Sequence, residues 1–228
     1  MRQIPLAISP ETTPGFDNFI PGSNAAALDH LQHLRPGAAP IYLWGPTGSG
    51  KTHLLRAWVH SLQDAGLRVG WLQPGLAGPW PLHDDWAAVV LDDCDRLDDS
   101  EQQAAFTLFN AAAERRVGFA AGGRLPPVDL TLREDLRSRL AWGHVFALET
   151  LGETEVRAAT RREADRRGVF LSDEVMAFLM RRFARDLKSM MALLDAIDRY
   201  ALAEGRTVTV PLVRRMLADD AGLEAATT

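Results

Sequence analysis

Short apolar runs alternate with helical patterns through the first two thirds of the chain. Five runs of four or five residues are rich in apolar side chains and are bounded by Gly, Pro or polar residues, which is typical of β-strands. These predicted strands are Ile41–Trp44, Arg68–Leu72, Ala87–Leu91, Val117–Ala121 and His144–Leu148. Apolar positions at helical spacing predict helices at Asn24–His33, Thr52–Ala65, Ser100–Arg115 and Arg133–Leu140. Strands separated by helices predict an α/β fold with a parallel five-stranded sheet covered on both faces.

From about residue 150 onward the apolar pattern is almost wholly helical. The predicted helices are Glu153–Arg167, Asp173–Arg182, Asp186–Glu204 and Pro211–Asp219. Gly168 and Gly205 stand where a glycine commonly caps the C-terminus of a helix. A weaker β-like pattern at Thr207–Val210 precedes the last helix.

Length and composition fit three segments in one chain. The pattern predicts a mobile arm rich in Pro, Ser and Thr (residues 1–15), an α/β domain (16–150) and a C-terminal α-helical domain (151–228). A hydrophobic content of 46% with 24% charged residues is typical of soluble globular proteins. The single cysteine, Cys94, excludes an intramolecular disulfide and favours a reducing cytoplasm. No stretch has the apolar length of a membrane span or the design of a signal peptide. We therefore expect a cytoplasmic protein without a membrane partner.

The segment after the first strand has the sequence of a phosphate-binding loop. It matches G-x-x-x-x-G-K-[ST] at every fixed position, with Gly45, Pro46, Thr47, Gly48, Ser49, Gly50, Lys51 and Thr52. Glycines let backbone N–H groups close around phosphates, and the helix that follows adds the positive end of its dipole. Lys51 can reach the β- and γ-phosphates, the Thr52 hydroxyl can hold Mg²⁺, and His53 completes the candidate set.

A second segment, which is acidic, supports the same interpretation. The apolar run Val89–Leu91 ends in Asp92 and Asp93, about forty residues after the phosphate loop. Asp92 can hold Mg²⁺ through water, while Asp93 can face the γ-phosphate and polarise an attacking water. The alternative is a solvated acidic loop, because three more aspartates follow closely.

These features together resemble the AAA+ ATPases, and three further segments are similar to the bacterial replication initiator DnaA and its relatives. Phe16–Asn24 (FDNFIPGSN) resembles the adenine-side segment of that family. Leu136–Gly143 (LRSRLAWG) resembles its arginine-finger segment, and Arg185–Leu187 resembles the lid motif called sensor 2. The resemblance covers residues 16 to about 218. It implies an AAA+ P-loop NTPase fold with a C-terminal helical lid.

The resemblance also implies roles for individual residues. The adenine-side candidates are Phe16, Phe19 and Ile20, although the two phenylalanines could simply be core aromatics. Arg185 is the candidate lid contact with ADP or ATP, with Lys188 as its substitute. Arg139 is the candidate catalytic finger, which in this family projects into the nucleotide of a neighbouring subunit. Its alternative is an ordinary surface charge.

Two departures from the family pattern change the expected activity. At the end of the fourth strand Gly123 stands where relatives carry a polar residue that orients the hydrolytic water. We therefore expect weak intrinsic ATP hydrolysis. The Pro- and Gly-rich segment Gln73–Trp86 cannot form the helical pair that DnaA inserts before its acidic strand.

DNA contact is expected to be weak or indirect. No room remains after the lid for a DNA-reading domain, and the formal net charge of −5 argues against strong non-specific DNA binding. The basic stretch Arg161–Arg167 is predicted to be a solvated helix face.

The arm supplies a different partner. Gln3, Ile4, Leu6 and Ile8 lie in a segment similar to the peptides that dock on the bacterial sliding clamp, where a glutamine and apolar residues fill subsites. The alternative is an arm that packs on its own domain. The combination resembles DnaA-related regulators that inactivate the initiator.

The expected function is negative regulation of replication initiation. Docked on the DNA-loaded clamp, and so associated with the nucleoid, the chain would stimulate hydrolysis of DnaA-bound ATP through Arg139. A homodimer is compatible with this interpretation. The alternatives are an autonomous ATPase or helicase-loader-like motor and a non-catalytic DnaA adaptor.

Overall fold

A computed structural model of the chain describes residues 13–76, 78–183 and 186–225. Five strands form one sheet in the order β2-β3-β4-β1-β5, and every pairing is parallel. The strands are β1 Ile41–Trp44, β2 Arg68–Leu72, β3 Trp86–Leu91, β4 Gly118–Gly123 and β5 His144–Ala147. The predicted α/β class is confirmed. Each predicted strand is found, with ends that differ by no more than two residues.

Eight α-helices accompany the sheet within the described residues. They are α1 Ala25–His33, α2 Lys51–Asp64, α3 Asp99–Glu114, α4 Glu134–Leu140, α5 Glu153–Arg166, α6 Asp173–Arg182, α7 Leu187–Glu204 and α8 Val210–Ala225. None of these helices is long and apolar enough to cross a membrane. Contacts divide the chain into two compact units, one spanning Thr12–Thr150 and the other containing everything from Leu151 onward.

Strand alternation builds a separate core on each face of the sheet. On β1, Ile41 and Leu43 point to one face, where they join Trp58 and other apolar residues of α1 and α2. Tyr42 points to the opposite face and joins Phe109 and apolar residues of α3 and α4. The central strands β1, β3 and β4 are therefore buried on both sides, as near-continuous apolar strands predict, whereas the edge strand β5 is largely exposed.

Local signals in the sequence explain where several helices begin. Asp98 starts α3 with a capping box: its carboxylate accepts from the Glu101 N–H, and the Glu101 carboxylate accepts from the Asp98 N–H, both at 2.8 Å. Asp186 caps α7 by accepting from the Ser189 N–H at 2.9 Å. Each of these caps occupies one of the unpaired N–H groups that a helix start leaves.

The C-terminal unit is an all-helical domain with its own core, built around residues such as Met176, Leu194 and Val213. The β-like prediction at Thr207–Val210 is wrong. Those residues form no strand, and α8 begins at Val210 and continues past the predicted end. The physical reason is local, because the Thr209 hydroxyl accepts from the Leu212 N–H at 3.4 Å and Pro211 suits the first helical turn.

Most of the basic stretch in α5 is neutralised by carboxylates of the same domain. Arg161 pairs with Asp173 at 2.9 Å, whereas Arg166 and Arg167 each pair with Glu163 at 2.6 Å. The pairing leaves little free positive charge on this face, as expected for a solvated helix surface.

The Glu163 pairs give a pH-dependent prediction. The hydrogen bond from Arg166, together with Arg167, lowers the pKa of Glu163 from 4.5 to about 2 against the opposing effect of burial. Because the pKa of Glu163 is lower in the folded state than in the unfolded chain, its ionisation stabilises the fold at pH values above the unfolded pKa. This stabilisation is lost as the pH falls toward 2. Glu163→Gln should therefore lower the free energy of unfolding by about 1–2 kcal/mol at pH 7 and by less at pH 4.

Urea unfolding followed by circular dichroism checks this prediction. Glu174→Gln, in the exposed first turn of α6, is the matched control and should have a much smaller effect. An equal destabilisation at both pH values would contradict it.

Candidate functional site

The phosphate-binding loop lies between the end of β1 and the start of α2. Gly48 and Gly50 have φ values of +85° and +97°, which L-residues with side chains rarely adopt. A Cβ on Gly48 would meet nothing within 4 Å, so this side of the loop is open. A Cβ on Gly50 would lie 2.7 Å from the ring of Phe19. The loop is therefore open on one side and packed tightly on the other.

Two polar side chains are buried inside this loop. Lys51 is 6% exposed, and its ammonium donates to the carbonyls of Gly45 at 2.7 Å and Pro46 at 2.9 Å. Burial lowers the pKa of Lys51, and the carboxylates of Asp92 and Asp93 oppose that effect. The Ser49 hydroxyl is buried without a hydrogen-bond partner. A buried cation and an unpaired hydroxyl fit an anionic ligand, which would neutralise the first and pair with the second.

Thr52 and Asp92 meet beside the loop. The Thr52 hydroxyl donates to Asp92 Oδ2 at 2.7 Å, and Asp92 is 5% exposed. Burial raises the pKa of Asp92, although the hydrogen bond from Thr52 opposes the shift. Hydroxyl and carboxylate oxygens are the ligands that Mg²⁺ prefers, and Mg²⁺ usually takes its remaining ligands from water and phosphate. Thr52 and Asp92 are therefore the residues that would hold Mg²⁺ here.

Asp93 differs from its neighbour in exposure and in backbone geometry. It has a left-handed φ of +52°, which is uncommon for a residue other than glycine. Its carboxylate is half-exposed, and Arg96 lies 4.0 Å away. Asp93 is thus separated from the buried Asp92 by the turn at the end of β3, and its carboxylate is open to solvent. Strain of this kind is found at functional sites.

The two glycines that end β4 point in opposite directions. A Cβ on Gly122 would lie 3.0 Å from Asp92 Oδ1 and 3.8 Å from Lys51 Cβ. A Cβ on Gly123 would overlap the Tyr42 hydroxyl on the other face of the sheet. The sequence places the missing polar side chain at Gly123, whereas the structure turns Gly122 toward the lysine and the carboxylate. Neither glycine can orient a water molecule with a side chain.

The N-terminal segment of the site packs against α2. Phe19 lies against Gly50 and tilts against the His53 imidazole, with ring centroids 5.4 Å apart. His53 Nε2 bonds to the Gly15 carbonyl at 3.0 Å, and burial lowers the pKa of the imidazole. Phe16 and Phe19 are both partly buried against the α1–α2 core, so the core-aromatic alternative describes part of their contacts. Ile20 is half-buried.

A pair of hydrogen bonds that the sequence analysis did not identify holds this segment to the end of β5. The buried Asn24 side-chain amide donates to the Glu149 carbonyl at 2.9 Å and accepts from the Glu149 N–H at 2.8 Å. The only sequence signal is the asparagine at the end of the FDNFIPGSN segment. These two hydrogen bonds tie the end of the FDNFIPGSN segment to a residue two positions after β5.

Arg139 lies near the end of the sheet where the strands begin, whereas the phosphate loop follows the carboxyl end of β1. Its guanidinium stands 5.7 Å from the centroid of the Trp142 ring, just before β5 begins. His144, the first residue of β5, is paired with Ile41, the first residue of β1. The phosphate loop begins after the last residue of β1, about 13 Å farther along the strand. Arg139 is therefore not part of the chain's own phosphate site.

Some candidates fall outside the described residues. They are Arg185 in the lid and the four clamp-peptide residues Gln3, Ile4, Leu6 and Ile8. Lys188 is described, and it is exposed in the first turn of α7. Among the described residues, no group of three or more His, Cys, Asp or Glu side chains could hold a metal ion alone.

Comparisons with known structures define the class. The chain is similar to domain III of DnaA from Thermotoga maritima, with 21% identity, a TM-score of 0.74 and coverage of 91% of this chain and 97% of that one. It is also similar to AMPPCP-bound DnaA from Aquifex aeolicus, at 21% identity and TM-score 0.68, over 91% of this chain and 70% of that one. The Thermotoga maritima RuvB Holliday junction branch migration motor matches at 16% identity and TM-score 0.66, over 90% of this chain and 71% of that one. The fold is that of the AAA+ P-loop proteins, with a five-stranded parallel sheet and a C-terminal helical lid.

The lid narrows the class further. Residues 153–217 match the family described as "Hda, lid domain". This match, together with the DnaA-like fold, supports an Hda-type, DnaA-related AAA+ protein.

Proposed function

We propose that this chain switches off DnaA by stimulating hydrolysis of DnaA-bound ATP through Arg139. The Hda-type lid implies a role in regulating DnaA. The observation that carries the finer proposal is the position of Arg139, which is remote from the chain's own phosphate loop and stacked near a largely exposed tryptophan. None of the ion pairs among the described residues occupies its guanidinium. A cation placed this way is free to serve a nucleotide on another molecule.

The chemistry required of Arg139 is electrostatic. Water attacks the γ-phosphorus of ATP on DnaA, the bond to the β–γ bridging oxygen breaks, and ADP and inorganic phosphate leave. Negative charge builds on the equatorial and leaving oxygens during this step. A guanidinium stays charged and presents a planar fork of donors to those oxygens. Arg139 would lower the barrier without taking or giving a proton.

The chain's own nucleotide has a different role in this proposal. ADP or ATP would be held by the loop from Gly45 to Thr52, with Mg²⁺ on Thr52 and Asp92 and the adenine side near Phe16, Phe19 and Ile20. The two glycines that end β4 provide no side chain to orient water, so intrinsic hydrolysis is expected to be slow. Bound nucleotide then acts mainly as a structural ligand that stabilises the fold.

The direct test mixes ATP-loaded DnaA with clamp loaded on DNA and follows conversion of ATP to ADP with and without this chain. Accelerated hydrolysis that depends on both chain and clamp is the expected result. Unchanged DnaA hydrolysis across a full titration of the chain would overturn the proposal.

A second candidate function is supported by the intact acidic pair. Asp92 lies next to Thr52, and Asp93 is open to solvent, as an autonomous ATPase requires. Sustained turnover of ATP by this chain alone would favour that function. A third outcome, in which DnaA binds but its hydrolysis is not accelerated, would favour the non-catalytic adaptor.

Clamp docking through the arm gives a separate prediction. Replacing Gln3, Leu6 and Ile8 by alanine should remove clamp binding, because the motif supplies both the glutamine contact and the apolar anchors. The melting temperature should change by less than about 2 °C, since a terminal arm contributes little to a core. Surface binding to immobilised clamp measures the effect, and alanine at Arg2 and Thr12 is the matched control. Equal clamp affinity of the altered and unaltered chains would refute arm-mediated docking.

A further inference from the structure

A cavity of about 290 Å³ opens at the sheet edge where β1 and β5 begin, beside Arg139. Its floor is apolar: Phe109 and Phe119 meet edge to face, with ring centroids 4.7 Å apart. Trp142 forms one side and is 63% exposed. The rim is low, because small residues from Gly37 to Pro40 line it. An open recess with an aromatic floor and an exposed tryptophan is the geometry of a pocket for one apolar side chain.

Arg116 stands on the rim in a backbone conformation that favours glycine. It follows the end of α3 with a φ of +55°. Its N–H donates to the Ala113 carbonyl, and the next N–H, from Val117, donates to Ala112, as in a helix ended by a left-handed residue. Glycine would adopt this conformation without strain. The arginine is therefore not required by the helix end, and its side chain points to another role.

The rim carries positive charge that the described part of the chain does not neutralise. Neither Arg116 nor Arg139 takes part in any ion pair among the described residues. The neighbouring Arg115, in contrast, forms an ion pair with Asp84. An apolar recess flanked by unpaired guanidinium groups is complementary to an apolar side chain that has carboxylates beside it.

We propose that this cavity receives one apolar side chain, flanked by acidic residues, from the ATP-bearing domain of DnaA. The inference rests on the proposed function, because that function makes Arg139 part of an interface. The Arg139 guanidinium lies 5.7 Å from the centroid of the Trp142 ring, which lines the cavity, so a surface that meets Arg139 also covers the recess. Filling the recess anchors the partner on the surface beside Arg139.

Two variants test the anchor without touching Arg139. Ala113→Leu fills the recess from the exposed face of α3 with a residue that is a good helix former. Arg116→Gly removes the unpaired charge and should leave the melting temperature equal or higher, because glycine suits the left-handed position. Each should raise the chain concentration that gives half-maximal stimulation of DnaA ATP hydrolysis about tenfold, with the maximal rate unchanged.

Matched controls separate docking from general effects. Ala192→Leu makes the same change on the exposed face of α7, and Arg115→Ala removes a neighbouring arginine that is already paired. Both should behave as the unaltered chain does.

The outcomes distinguish this inference from the proposed function. Suppose that Arg139→Ala abolishes stimulation, while Ala113→Leu and Arg116→Gly reach half-maximal stimulation at the same concentration as the unaltered chain. The inference is then overturned and the function stands. A lower maximal rate at unchanged half-saturation would also overturn it. If the unaltered chain fails to stimulate DnaA, the function is overturned, and binding to DnaA carrying AMPPCP decides the inference: Ala113→Leu must weaken that binding. A variant that loses only single-stranded oligonucleotide binding would assign the cavity to nucleic acid instead.

Discussion

Arg139→Ala is expected to remove stimulation of DnaA ATP hydrolysis while clamp and nucleotide binding stay intact. An arginine finger supplied in trans typically accelerates phosphoryl transfer by about 10³–10⁵. Arg139 lies at the sheet edge away from its own phosphate loop, so its removal should leave that loop unchanged. The measurement is the rate of ADP formation on DnaA with DNA-loaded clamp, at saturating chain.

Lysine at this position separates charge from geometry. Arg139→Lys keeps the positive charge but loses the planar fork, so we expect it to restore little of the rate. Arg137→Ala, two residues earlier in α4, is the matched control and should retain most of the stimulation. If Arg139→Ala stimulated DnaA as well as the unaltered chain does, the finger role would be refuted and the adaptor function would replace it.

The sheet and the glycine-rich loop after β1 were predictable because their signals are local. Strand lengths and the loop glycines each depend on a few adjacent residues. The neighbourhood of Thr52 and Asp92 was predictable as well, since parallel strands bring their carboxyl ends to one edge of the sheet. The strand at Thr207–Val210 was predicted wrongly, because β-branched residues before a proline also suit a helix start.

Features that depend on contacts between distant segments were not predictable. The direction of Gly122 and Gly123 follows from the register of β4 against β1 and from the space taken by Tyr42. The recess beside Trp142 needs α3, β4 and the segment before β1 to converge. The Asn24–Glu149 hydrogen bonds join residues 125 positions apart. No local pattern specifies these contacts, because packing across the fold determines them.

Lys51→Ala is expected to abolish nucleotide-dependent stabilisation of the chain. A ligand at one hundred times its Kd stabilises the folded state by about 2.7 kcal/mol, which corresponds to several degrees in melting temperature for a domain of this size. Without Lys51 the phosphates lose their only buried cationic partner among the described loop residues, Gly45 to Thr52. The melting temperature in ADP and Mg²⁺ should then equal the value without ligand.

The same variant without nucleotide should be little destabilised. The buried ammonium is desolvated, its pKa is lowered, and its hydrogen bonds go only to loop carbonyls. Removing a buried charge that lacks a close counter-ion relieves that desolvation. Arg56→Ala, on the exposed face of α2, is the control and should keep the full ADP-dependent shift. A normal shift in Lys51→Ala would refute the phosphate-loop role, whereas a large loss of stability without ligand would show that Lys51 supports the loop itself.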